Sequence, residues 1–222
     1  MLRISNRHRV AGLVHDGLTR TKTRIPPQVA QALADKAHSI LRANLNSAAE
    51  AIRLHQLLRD AGVRAISFKG SSLALIAFDG LGIRHSKDID ILVAPAFVDK
   101  ASKTLEAAGY RRFEPVPGLS QAGLKTYTQL RKDYAYKNSE KQIEIELHWR
   151  LFDNQLLMPL SASNANTQLV TIGDATIPTF SDDDLFAYLC LHGALTGWFR
   201  LKWLADIGAL LVGAGPENIL KL

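Results

Sequence analysis

The apolar positions of this chain recur at two different periods, and the switches between them divide it into three parts. Residues 5–19 carry Val10, Leu13, Val14 and Leu18 at helical spacing, which predicts a short helix. Pro26-Pro27 ends that segment and can open the next helix, since proline suits a first helical turn. From Gln28 to Asp60 the helical period holds through Val29, Leu33, Ala37, Ile40, Leu45, Ala48, Ile52 and Leu58, and Gly62 closes it. This predicts one long helix, with Asn44 as the place for a bend.

From Ala65 the period shortens. Ala65-Ile66-Ser67-Phe68 predicts a strand that runs into the turn Lys69-Gly70-Ser71-Ser72, with a short helix over 72–78 behind it. Asp88 to Val93 predicts a second strand, Pro95 to Gly109 a helix, and Tyr110 to Phe113 a third strand. Thr126 to Tyr136 and Gln142 to Trp149 alternate on either side of a polar stretch and predict a hairpin. A second hairpin is predicted over 168–172 and 175–180, around Gly173-Asp174. Ser181 is a good N-cap, and Asp182, Asp183 and Asp184 follow where the helix dipole favours acids. Apolar helices are expected over 182–195 and 198–213. Pro216-Glu217 reads as the start of a further helix that Leu222 cuts short, as in a short form or a truncated chain. The expected class is α+β: a mixed central β-sheet with a long N-terminal helix and a C-terminal helical cap. Residues 1–27 form a basic arm with a short helix, 28–180 the α/β core, and 181–222 the helical region.

Composition changes this picture little. With 47% hydrophobic and 22% charged residues, the chain is of ordinary globular type, and global disorder is excluded. No apolar run reaches the ~18 residues of a membrane span, and the start Met1-Leu2-Arg3-Ile4-Ser5 lacks the apolar centre of a secretory signal. A single cysteine, Cys190 between two leucines, rules out an internal disulfide and reads as a small core residue. The expected location is the cytoplasm. The net charge of +6 lies partly in Arg3, Arg7, Arg9, Arg20, Lys22 and Arg24. These form either a solvated arm or a contact for nucleic acid or a nucleotide.

Three segments could carry chemistry. Gly70-Ser71 stands where a strand becomes a helix; free amides there bind phosphate, and glycine permits close backbone approach. In isolation it is also an ordinary turn. On the strand Asp88-Ile89-Asp90-Ile91-Leu92-Val93, the two aspartates share one face and Ile89, Ile91 and Val93 the other. Side-by-side carboxylates repel, and a divalent cation removes that cost; oxygen ligands favour magnesium or manganese over zinc. The plain alternative is a wet strand end. In Ile143-Glu144-Ile145-Glu146-Leu147-His148-Trp149, the acids and His148 again share a face. A third carboxylate on a neighbouring strand would complete a two-metal site for phosphoryl displacement; the alternative is an amphipathic hairpin strand.

Together, a Gly-Ser turn, an acid-x-acid strand and an acid on a later strand resemble the DNA polymerase β-like nucleotidyltransferase superfamily. More narrowly, the chain resembles a bacterial family of uncharacterised nucleotidyltransferases. The segments that carry the resemblance are Phe68-Lys69-Gly70-Ser71-Ser72-Leu73, and Gly82-Ile83-Arg84 leading into Ser86-Lys87-Asp88-Ile89-Asp90-Ile91-Leu92-Val93. Ile145 to Leu151, Leu189 to Ala194 and Trp203 to Ile207 add to them. The resemblance implies that Gly70 and Ser71 hold a triphosphate, with Lys69 and Arg84 neutralising phosphate charge. It implies that Asp88 and Asp90 ligate Mg2+ or Mn2+. Glu146 would be the third carboxylate, where many superfamily members have aspartate, with Glu144 as the fallback. His148 would assist the acceptor or bond to a carboxylate. His192, Trp198, Trp203 and Asp206 recur in the family pattern and read as packing and a satisfied polar contact.

The implied activity is metal-dependent transfer of a nucleoside monophosphate from an NTP to a hydroxyl acceptor, with release of pyrophosphate. The acceptor could be a small molecule, a peptide or protein side chain, or RNA. The alternatives are a non-catalytic nucleotide-binding regulatory module and an RNA-modifying, toxin-like member.

Overall fold

The computed structural model describes residues 1–214, so the helix expected from Pro216 lies outside the described residues. The N-terminal segment forms two helices, α1 (Leu2–Arg7) and α2 (Ala11–Arg20), where one was expected. Arg9 separates them in the left-handed region, with φ 57°. Its amide donates to Asn6 O, and that of Val10 to Ser5 O, which closes α1 in a Schellman turn. A glycine normally takes that position, so an arginine there carries no stop signal in the sequence.

The long helix α3 (Pro27–Asp60) runs unbroken for 34 residues. Asn44 lies mid-helix. Its buried side chain donates to Leu81 O and Arg84 O, both at 2.6 Å, and so ties the loop before the second strand to the helix.

Strands β1 (Ala65–Ser67), β2 (Asp88–Val93), β3 (Arg111–Glu114), β4 (Asp133–Asn138) and β5 (Ile143–His148) form one sheet in the order β1-β2-β5-β4-β3. Only β2 and β5 pair in parallel, which makes the sheet mixed as expected. Helix α4 (Gly70–Phe78) follows β1, and α5 (Val98–Ala107) follows a 3-10 turn at Pro95–Phe97. Both faces of the sheet are covered. On one, Ile89, Ile91, Ile145 and Leu147 pack against Leu54 and Leu58 of α3 and Leu105 of α5. On the other, Leu92 and Phe68 meet Phe180, Tyr188 and Leu189. The face that carries Asp90 is therefore polar only at one end of β2.

Residues 126–130, read as strand, belong instead to helix α6 (Gln121–Leu130). Ser120 caps it by accepting from the amide of Gly123 at 3.1 Å. Tyr127 reaches back to pack on Tyr134, with ring centroids 5.8 Å apart. Tertiary packing thus overrides a short alternating pattern, and the strand starts only at Asp133.

The second hairpin, β6 (Thr167–Ile172) and β7 (Ala175–Phe180), is a separate two-stranded sheet against β1 and α3. Helices α7 (Asp182–Leu195) and α8 (Leu201–Ala214) close the far side, and Ser181 caps α7. Among the described residues, no helix is long and apolar enough to cross a membrane.

Candidate active site

The parallel pairing of β2 and β5 sets Asp88 opposite Glu144 and Asp90 opposite Glu146. Neighbouring strands lie about 4.8 Å apart, so side chains in register on one face converge. Asp90 is 2% exposed, and His148, two residues beyond Glu146, is 1% exposed. Asp88 and Glu146 are half-buried. His148 Nε2 stands 3.4 Å from Asp90 Oδ1 and 3.2 Å from Glu146 Oε2. Ligand atoms of Asp90, Glu146 and His148 all lie within 4.8 Å of one another.

Lys69, two residues past β1, places its ammonium 2.7 Å from Asp90 Oδ1. Burial works against the lysine charge, but Asp90, then Tyr188, Glu146 and Asp88, hold its pKa well above the ordinary value. Burial also works against the Asp90 charge, yet Lys69 and His148 hold that carboxyl far below the usual range. Asp88 moves the other way, pushed up by burial and then by the charge on Asp90.

Close as they are, these contacts are not aligned hydrogen bonds. Both carboxylate oxygens of Asp90 and both ring nitrogens of His148 are buried without a hydrogen-bond partner. Buried polar atoms are rarely left so; Oδ1 of Asp90 has the Lys69 ammonium beside it, and Oδ2 is open to a cation. The donor set, chiefly carboxylate oxygens, fits magnesium or manganese.

The turn opposite is built by Gly70. Its φ of +66° lies in the left-handed region, and a Cβ there would come 3.5 Å from Asp88 O. Glycine therefore lets β1 turn straight into α4 against the start of β2. Lys69 takes the N-cap position without a side-chain cap bond, so the first amides of α4 remain available to an anion. Ser71 is buried in that first turn.

Arg84 is 3% exposed and gripped by Asp206 of α8, with Nε–Oδ1 at 2.8 Å and Nη2–Oδ2 at 3.1 Å. Its remaining nitrogen donates to Gly70 O at 3.3 Å and Ser86 Oγ at 2.9 Å. It thereby links the glycine turn to the C-terminal helices.

A cavity of about 260 Å³ opens between these parts. Lys69, Gly70, Arg84, Asp88, Asp90 and Glu146 all line it. Ser71, Glu144 and His148 do not; Glu144 turns to Lys87, 2.5 Å away at the exposed edge. Asp206 and Trp203, read as structural, line the far wall, with Arg9, expected in a basic arm that is either solvated or a contact for nucleic acid or a nucleotide, and Lys202, which no sequence signal singles out. No periodicity or motif marks those two; only the packing of the α1–α2 turn and the start of α8 brings them here. A larger cleft of about 600 Å³ lies between the end of α3 and β7. Asp174 is the one carboxylate residue lining it, so it lacks the acidic pairing of the smaller site.

Comparison with solved structures places this architecture. ANT(2″)-Ia in complex with adenylyl-2″-tobramycin superposes with a TM-score of 0.53 at 9% identity, covering 78% of this chain and 92% of its own. The solution structure of the same antibiotic-resistance factor gives 0.51 at 10% identity, over 78% and 89%. An antigenic nucleotidyltransferase-like protein from Paracoccidioides brasiliensis gives 0.50 at 16% identity, over 75% and 76%. No curated protein matches the sequence at a significant level. The fold is that of the DNA polymerase β-like nucleotidyltransferases. Within that class, the chain belongs to the uncharacterised nucleotidyltransferase family, whose model matches residues 1–218.

Proposed function

We propose that the protein transfers a nucleoside monophosphate from an NTP to a hydroxyl acceptor. The observation that carries this reading is the register pair Asp90–Glu146, set beside the Gly70 turn on one cavity and with Asp90 Oδ2 buried without a partner. Asp88, Asp90 and Glu146 would hold Mg2+ or Mn2+, which supplies Lewis acidity at the transferring phosphate. His148 Nε2 lies beside both carboxylates, 3.4 Å from Asp90 and 3.2 Å from Glu146.

The chain's own groups do the rest. The amides at the start of α4 and the Lys69 ammonium meet the anionic phosphates, and Arg84 adds its charge while Asp206 holds it in place. The acceptor oxygen bonds to the α-phosphorus in line with the bond to the β-phosphate oxygen. That second bond breaks, pyrophosphate leaves, and the hydroxyl proton passes to water. Fixing both reactants in the cavity supplies the orientation such a displacement needs. The adenylylated small molecule in the ANT(2″)-Ia structure supports a small hydroxyl-bearing acceptor, with a protein side chain or an RNA end as the larger options.

The test is incubation of the whole protein with Mg2+, each α-labelled NTP and a lysate of its source cells. Label should appear on an acceptor with wild type and vanish with Asp90→Asn. The size of the labelled product reports the acceptor class. Equal lanes from wild type and Asp90→Asn would leave only a nucleotide-binding module.

A further inference from the structure

The α1–α2 segment meets the segment that leads into α8, beside the cavity. Arg200, just before α8, donates from Nη1 to Arg7 O at 2.9 Å, and the amide of Leu201 approaches His8 Nδ1 at 3.4 Å. On the other side of the α1–α2 turn, Gly12 lies against the Gly82–Ile83 backbone. A Cβ at Gly12 would fall 2.3 Å from Ile83 O, so only glycine permits that contact. The N-terminal helices are thus seated on the site, and Arg9 between them is half-buried at the cavity wall.

The cations around the cavity differ in one respect. Lys69 is paired with Asp90, Arg84 with Asp206, and Lys132 with Asp133. Arg9 and Lys202 have no ion pair or side-chain hydrogen bond among the described residues. Lys202 is nonetheless 8% exposed and lines the cavity. A buried, unpaired ammonium is costly in a fold unless a ligand supplies its counter-charge. Burial, then the Arg84 charge, hold Lys202 down to about 7, against the pull of Asp206 and Asp88. Arg9 is lowered by burial and then by Arg200, with Asp88 opposing.

We propose that Arg9 and Lys202 form the seat for the polyphosphate tail of the nucleotide, so that the N-terminal helices are part of the substrate site. The inference rests on the transferase reading and extends it to the part of the substrate that leaves. The α-phosphate lies with the carboxylates of β2 and β5, and the tail points toward the start of α8 and the α1–α2 turn, where Lys202 and Arg9 stand. The same seat would take free pyrophosphate, which carries the tail without a base.

The experiment is calorimetric titration of the whole protein with magnesium pyrophosphate, magnesium ATP and AMP. Arg9→Ala and Lys202→Met should each weaken pyrophosphate and ATP binding about tenfold, the cost of one charge-assisted phosphate contact. AMP binding should be unchanged. Arg9→Lys should recover part of the loss, and Lys202→Met should melt no lower than wild type, which separates lost binding from lost folding. Variants that bind pyrophosphate as tightly as wild type would overturn the seat while leaving the transferase reading intact. If wild type binds neither pyrophosphate nor any NTP, and shows no label transfer, both readings fail together.

Discussion

Arg84 and Asp206, 122 positions apart in the chain, form a two-point ion pair with N–O distances of 2.8 and 3.1 Å. Both side chains are buried, and the same guanidinium bonds Gly70 O and Ser86 Oγ. A C-terminal helix therefore fixes the turn that faces the carboxylates. Removing one partner of a buried pair strands the other charge and costs about 3–5 kcal/mol. Asp206→Ala should lower the melting temperature by roughly 6–20 °C, at about 2–4 °C per kcal/mol. The double change Arg84→Met with Asp206→Leu should recover part of that loss. Calorimetry on the three proteins decides it; a single variant that melts with wild type would show the pair to be incidental.

The acid set separates by position on its strands. Asp90→Asn and Glu146→Gln should each lower label transfer by at least about 10²–10³-fold, the scale of losing one preorganised electrostatic group. Both should also weaken Mn2+ binding, read by electron paramagnetic resonance. Glu144→Gln touches only the exposed pairing with Lys87, and exposed ion pairs contribute little. Its transfer rate should stay within about twofold of wild type. The reverse ranking would make Glu144 the third carboxylate.

Lys202 links stability to alkaline pH. Its ordinary value is 10.5, and the fold holds it at about 7, chiefly by burial. Above 10.5 both states are neutral and the residue costs nothing. Between the two values only the unfolded chain is charged, so the cost grows as pH falls, and it is complete below about 7. Lys202→Met should thus raise the melting temperature most near pH 7, with the gain shrinking toward zero by pH 10.5. A gain that does not change with pH would contradict an unpaired buried ammonium.

Three histidines should make the protein acid-labile. His55, His85 and His192 are each held down to about 4 from 6.5, in every case mainly by burial. His55 adds a 2.9 Å contact between Nε2 and Ser67 Oγ. A folded value below the unfolded one means that the unfolded chain takes the proton first. Stability is then present above pH 6.5 and is lost as pH falls toward 4, at up to about 1.4 kcal/mol per pH unit for each histidine. Denaturant melts between pH 7 and 4 should show a shallower slope for His55→Gln than for wild type; identical slopes would exclude His55 as a contributor.

Much of this molecule is written in local pattern. The alternation in Asp88–Val93 and Ile143–His148 sets which face of each strand is apolar, because side chains on a strand alternate by covalent geometry. The run from Pro27 to Asp60 declares its helix, and Gly70 declares a turn that other residues enter only with strain. Periodicity carries no information about which strands become neighbours. The parallel pairing of β2 with β5, which brings Asp90 to Glu146, is decided by burial on both sheet faces. Packing also converted residues 126–130 to helix and split the N-terminal segment at Arg9. The choice between a solvated basic arm and a wall of the cavity depends on Gly12 meeting a loop some seventy residues on. The single chain determined the chemistry of each segment, since that depends on neighbours in sequence. Only the tertiary fold decided which segments share a site, because burial and charge pairing act between residues that the chain itself keeps far apart.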